Sequence, residues 1–290
     1  MTSLLYHFPI SNVETYIFIP PLFSFLLSFF CATAGISGAF LLLPFQVSIL
    51  GYTAPSVTAT NHLFNVIAIP SGVYRYWKEK RFYYPLTILI TLGTLPGVIL
   101  GYFLRISLFE SLKNFKLLVG LVLLVIGVKL LLDLIFPRKQ AGFSPEPIKT
   151  IKIDLLHLKF EYDKQLYTIN NIALVLTALI IGVIGGIYGI GGGALMAPIL
   201  LAFFRIPPYV FAGATLFGTF LTSLLGVIIF VVGGIGPDFL LGSLFGLGGF
   251  LGIYLGAIFQ KKVPQKLIAF FLTFILFFIS YEYIMSFFRT

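Results

Sequence analysis

Thr58, Thr60, Asn61, His62 and Asn65 crowd hydrogen-bonding side chains into the segment TATNHLFN at the start of an apolar tract. Residues 58, 61, 62 and 65 stand three and four apart, so on a helix they share one face. Thr215, Thr219 and Thr222 repeat that spacing in the second half of the chain. Hydroxyls and carboxamides can coordinate the oxygens of an oxyanion without the desolvation penalty of a buried full charge. The same groups also bridge helices, so a binding site and an interhelical scaffold are both open readings. A second constellation is glycine: Gly35, Ser37 and Gly38 in one stretch, Gly189, Gly191, Gly192 and Gly193 in another. A helix interrupted there restarts with unpaired N–H groups and a partial positive charge, which suits an anion. Close helix packing is the other use of such glycines. His62 and Glu282, both within apolar tracts, are the titratable groups that could carry a proton.

The two glycine stretches are one stretch duplicated. GISGAFLLLP (35–44) returns as GIGGGALMAP (189–198), and one residue out of step Ala59 and Thr60 match Ala214 and Thr215. Leu92, Gly93, Gly97 and Gly101 then match Leu247, Gly248, Gly252 and Gly256. Apolar residues make up 59% of the chain and charged residues only 10%, with a mean hydropathy of +1.04. Soluble domains carry about 25% charged residues, so these elements must lie in a bilayer. Tracts long enough to cross it, about 20 residues, occur near 56–77, 85–104, 115–136, 209–232, 239–259 and 267–288. Two further tracts, 16–50 and 171–204, hold the glycine breaks and are too long for one simple helix.

Whether those broken tracts cross the membrane decides the topology. If each crosses once, Lys and Arg divide eleven to seven between the two sides. If each folds back on itself as a hairpin or re-entrant element, three helices cross per half, the halves are inverted, and the division becomes fourteen to four. The second arrangement fits the positive-inside rule better. It predicts an all-α polytopic membrane protein of two inverted repeats, 1–136 and 171–290, joined by a cytoplasmic linker at 137–170, with both termini outside. Alternation of apolar and polar residues over 151–163 predicts a short strand pair within the linker. The net charge of +9 is then an orientation signal rather than a mark of nucleic-acid binding. No positively charged segment precedes Arg75, so a signal peptide is not expected.

Little here suggests an enzyme: the chain has one Cys, three scattered His and no P-loop. GIGGGA (189–194) satisfies a minimal dinucleotide fingerprint but follows an apolar tract instead of a strand, so no nucleotide, cofactor or metal is expected. Duplicated spans broken by glycine and proline at the same place point to a transporter.

On the residues quoted, Gly35, Gly38 and Pro44, Gly189, Gly192 and Pro198, and the Ala-Thr pairs at 59–60 and 214–215, the chain resembles the TauE/SafE family of sulfite exporters, also called the toluene sulfonate uptake permease family. The resemblance covers nearly the whole chain. It implies a secondary transporter for sulfite, sulfoacetate or related short sulfonates, with export the commonest assignment. The expected substrate-binding set is Gly35, Ser37, Gly38, Thr60, Asn61, His62, Asn65, Gly189, Gly191, Gly192, Gly193, Thr215 and Thr219. The expected partners are a small anion, the lipid bilayer of the cell membrane and protons as coupling ion. Import of another anion, or a non-transporting assembly or sensor role using the linker, are the competing readings.

Overall fold

The computed structural model describes residues 5–33, 37–79, 82–136, 148–259 and 265–289. A short antiparallel hairpin, β1 (Leu5–Phe8) and β2 (Val13–Tyr16), precedes the first broken element, α1 (Ile19–Thr33) and α2 (Ala39–Ser48). Three long helices follow, α3 (Ser56–Lys78), α4 (Tyr84–Ser107) and α5 (Leu112–Ile135). After an antiparallel sheet of β3 (Lys149–Ile153), β4 (His157–Tyr162) and β5 (Gln165–Asn170), the helical order repeats. The second broken element is α6 (Asn171–Tyr188) and α7 (Gly192–Ala202), followed by α8 (Pro208–Val232), α9 (Phe239–Phe259) and α10 (Gln265–Arg289).

Among the described residues, five helices are long and apolar enough to cross a bilayer: α4, α5, α6, α8 and α9. The chain is thus a multi-pass, mostly helical membrane protein. α3 has 23 residues, but its hydroxyl and carboxamide side chains lower its hydropathy. All six of the simple tracts read from the sequence are helical, within a few residues of the expected bounds. The first broken tract folds back: Phe23 stacks on Phe45 with ring centroids 3.6 Å apart, and Gly38 sits beside Leu27 and Ser28. α2 therefore returns along α1 instead of prolonging it.

Glycine sets how the long helices pair. Gly97 of α4 faces Leu179 and Gly182, and Gly101 faces Val183 and Gly186, so α4 and α6 run in the same direction in backbone contact. Gly252 against Ser28 and Gly256 against Ala32 pair α9 with α1 in the same sense. By contrast α3 and α8 run oppositely, with His62 at Gly226, Asn65 bonded to Ser223 and Gly72 at Leu216. α5 and α10 are also opposed, Gly120 meeting Tyr283 and Gly127 meeting Leu276. Thus the first helix of each half lies on the fourth helix of the other, while the third helices meet one another and the fifth helices do likewise.

The linker forms three strands where a pair was expected. In β4, Leu158, Phe160 and Tyr162 point inward, and β5 runs straight into α6, capped by Asn170 Oδ1 accepting from the N–H of Ala173 at 2.9 Å. The sheet rests on the start of α4 through the Tyr83 and Phe160 rings and the Tyr83–Thr150 hydroxyl pair at 3.1 Å. The N–H of His157 holds the Asp154 carboxyl below its ordinary pKa range, with Lys152 assisting.

The N-terminal hairpin is tethered to the second half. Asp238 Oδ2 accepts from Ser11 N at 3.2 Å and Ser11 Oγ at 2.8 Å, while Oδ1 caps α9 by accepting from Leu241 N at 3.0 Å. Asp238→Ala removes a cap and strands two buried donors. We expect a loss of about 1–3 kcal/mol, read as a lower unfolding midpoint in detergent. An unchanged midpoint would mean that the tether carries no stability.

Candidate functional site

Each break is closed by side chains from α3 and α8. Gly189 and Gly191 have φ of 79° and 71°, left-handed backbone that L side chains rarely adopt, and they reverse the chain between α6 and α7. A Cβ at Gly189 would lie 2.5 Å from Thr58 O, and one at Gly193 2.5 Å from Thr219 Oγ1, so α3 and α8 press on the turn from both sides. Lipid offers nothing to an unpaired backbone group, so the exposed carbonyls at the breaks need donors.

Asn61 supplies them to both breaks at once. Its Nδ2 donates to Ala39 O at 3.0 Å and to Gly189 O at 3.1 Å, while its Oδ1 accepts from Gln46 Nε2 at 3.2 Å. Asn65 does comparable work beside it, its Oδ1 accepting from Ser37 Oγ and its Nδ2 donating to Ser223 Oγ, both at 3.1 Å. Thr58 Oγ1 donates to Ile187 O at 3.2 Å, and Thr222 Oγ1 accepts from Gly192 N at 3.2 Å. Seven polar side chains from three helices and a turn thus knit the two breaks together.

Between the breaks lies a cavity of about 20 Å³. Ser37, Gly193, Thr215, Thr219 and Tyr76 line it. Its other walls are small or aliphatic, Ala197, Ala212 and Ala257 among them. That volume holds about one water molecule. The cavity leads from the breaks toward the end of α3, the start of α8 and the end of α9. Thr215 Oγ1 donates to Phe211 O at 3.1 Å and Thr219 Oγ1 to Thr215 O at 2.8 Å, so either proton can swing to a guest without stranding a backbone donor. Gly193 lies in the first turn of α7, whose N–H groups have no intrahelical acceptor.

The expected site residues divide into groups. Ser37, Gly193, Thr215 and Thr219 meet at the cavity, while Asn61, Asn65 and the glycines 189, 191 and 192 form the surrounding framework. Gly38 starts α2 against Leu27 and Ser28. Thr60 is elsewhere, its hydroxyl bonded to Tyr52 at 3.0 Å, to Ser56 O at 3.0 Å and to the Asp238 N–H at 2.9 Å. His62 is fully buried against Gly226 and the Phe230 ring and does not line the cavity. Glu282 is half exposed and 4.0 Å from Arg289, away from the breaks. Gly35 lies outside the described residues.

Sequence reasoning missed Gln46, Ser223, Tyr76 and Arg105. Gln46 had a signal, as a carboxamide in a decapeptide otherwise apolar up to its terminal Ser48. Arg105 read as a loop charge, yet it is buried with its guanidinium 4.0 Å above the Phe115 ring and its Nε donating to Thr58 Oγ1 at 3.0 Å.

A profile of the sulfite exporter TauE/SafE family matches residues 21–283, both halves and both breaks included. The chain belongs to that family. Two proteins of Bacillus subtilis (strain 168) are similar to it. "Probable membrane transporter protein YunE" is 27% identical over 200 residues, 68% of this chain and 69% of that protein. "Probable membrane transporter protein YjnA" is 24% identical over 229 residues, 77% of this chain and 82% of that protein. No solved structure matches significantly. This TauE/SafE chain is a membrane transport protein.

Asn61→Leu removes both donors at nearly constant volume, leaving Ala39 O, Gly189 O and Gln46 Nε2 unpaired at about 1–3 kcal/mol each. Thr215→Val deletes one hydroxyl and should cost about 0.5–1.5 kcal/mol. Thermal unfolding in detergent should therefore separate the two variants clearly, Asn61→Leu being the weaker protein. Equal midpoints would show that the carboxamide does not hold the breaks.

Proposed function

We propose that this TauE/SafE protein is a secondary carrier exporting a small sulfur-containing oxyanion, sulfite, sulfoacetate or a related short sulfonate, by alternating access between two inverted repeats. The observation that carries the reading is the cavity at the paired breaks, where hydroxyls and the N-terminus of α7 converge without a full charge. Such a site suits a compact anion that must be bound and released. The opposed directions of α3 and α8 and of α5 and α10, equivalent helices in the duplication, support inversion.

The duplication also supports gating. Cavity residues Ala197, Ala212, Thr219 and Ala257 correspond by the repeat register to Leu43, Val57, Phe64 and Tyr102, all larger and all buried. Tyr102 packs edge-on against Phe230 with centroids 4.8 Å apart, in a separate apolar cluster with Ala59. One mouth is therefore filled, whereas the equivalent mouth holds the cavity. Because 20 Å³ admits a water molecule and not a four-atom oxyanion, the helices around it must part before the solute binds.

Two measurements test this reading. In proteoliposomes, sulfite or sulfoacetate flux should saturate, and Thr215→Val or Thr219→Val should lower apparent affinity roughly tenfold, the loss of about one hydrogen bond to a charged group. No saturable flux of any sulfur anion would refute the carrier, and uptake without export would reverse its direction. Cys31 is the one cysteine of the chain. On a Cys31→Ser background, cysteines placed at Ile10 (51% exposed) and Leu155 (90% exposed) should label from opposite sides, Leu155 from the cytoplasm. Labelling of both from one side would overturn the inverted topology.

A further inference from the structure

Behind α8, away from the central cavity, a groove of about 490 Å³ opens on the outer surface of the helices. Phe217 and Phe220 of α8 and Phe82 form its floor; Tyr74 and Trp77 of α3 and Tyr84 of α4 stand at its rim. Pro70 lines the α3 wall, where a missing N–H leaves the carbonyl one turn earlier without its helical donor. Trp77 is 60% exposed although it is the chain's one tryptophan and stands beside an apolar hollow. Exposure of this kind is what tryptophan and tyrosine show at the level of lipid headgroups.

We propose that this groove is a binding site for an anionic glycerophospholipid, its acyl chain between α3 and α4 and its headgroup over Lys78. The volume favours an acyl chain over a second copy of the protein. A helix about 10–12 Å across fills roughly 500 Å³ per turn, so the groove takes one turn of a partner helix. One turn, about four residues, is far short of the roughly 20–30 residues a side that specific association engages. A flexible hydrocarbon tail follows the curved aromatic wall without that restriction. Charge selects the headgroup. Lys78 is exposed in the last turn of α3, one residue beyond Trp77, and the sequence from Arg75 to Arg81 carries four cations against Glu79, which pairs with Arg75 at 2.7 Å. The remaining positive charge complements a phosphate ester with no compensating amine. The proposal requires only that the chain lie in a bilayer, so it stands or falls apart from the transport reading.

The lone tryptophan reports on the groove directly. With the full chain in mild detergent, dibrominated phosphatidylglycerol should quench Trp77 emission saturably, with half-saturation at least about fivefold below that of dibrominated phosphatidylcholine, the factor expected for one basic residue. Lys78→Gln should raise the phosphatidylglycerol midpoint about fivefold and leave phosphatidylcholine unchanged. Ile88→Phe, which fills the groove from its lipid-facing wall, should weaken saturable quenching by both lipids. Equal, non-saturating quenching would mean that bulk lipid merely passes over the rim, and the site would be abandoned. Loss of quenching at high protein concentration, with a dimer by light scattering, would assign the groove to a second copy and overturn the proposal.

Discussion

Asn61 gives one amide proton to Ala39 O and the other to Gly189 O, and those two bonds let a pair of interrupted helices lie side by side in hydrocarbon. A carbonyl freed by a helix break costs several kcal/mol in lipid unless a donor reaches it. The donor must come from outside the broken segment, since the segment's own N–H groups point the other way along the helix. α3 threads between the breaks and can serve both. Gln46 orients the carboxamide from α2, so the first break helps to hold the group that stabilises the second. The carbonyls thereby find partners inside the protein, and the N–H of Gly192 at the start of α7 finds Thr222 Oγ1. Among the residues lining the cavity none carries a full charge.

A duplicated chain starts with two equivalent halves, and side-chain volume has made them different. Phe64 stands at the repeat position of Thr219 and Tyr102 at that of Ala257; the smaller residues line the water-sized hollow, whereas both rings are buried. Packed interiors respond to single methylenes, so differences of this size decide which half keeps a hollow. Asp238 is joined to Ser11 of the N-terminal hairpin on one side and, through its N–H, to Thr60 on the other. Thr60 and Thr215 are the same residue of the repeat. One ties α3 to Asp238 and the other lines the cavity.

Much of the fold was legible because lipid leaves a chain few choices. Runs of about 20 apolar residues must be helices, and the bounds read for six of them fall within a few residues of α3, α4, α5, α8, α9 and α10. The glycine signal likewise located both breaks. The linker's third strand escaped notice because the alternation read over 151–163 ends before QLYTIN, and the β1–β2 hairpin because its four-residue strands are too short to show a period.

The site was legible as a set of residue types and not as a set of roles. TATNHLFN announces a polar helix face, but spacing along one helix cannot say which neighbour each side chain meets. Thr60 went to Asp238, Asn61 to two backbone carbonyls and His62 to Phe230 and Gly226, whereas Thr215 and Thr219 came to the cavity with Ser37. Arg105 passed for a loop charge because nothing local reveals that Phe115 will cover it. By itself the sequence determined the bilayer, the duplication and the positions of the breaks, since hydropathy and glycine act over a few residues at a time. Which hydroxyls face the hollow and which half keeps it were decided only by tertiary structure, because both depend on contacts between helices more than a hundred residues apart.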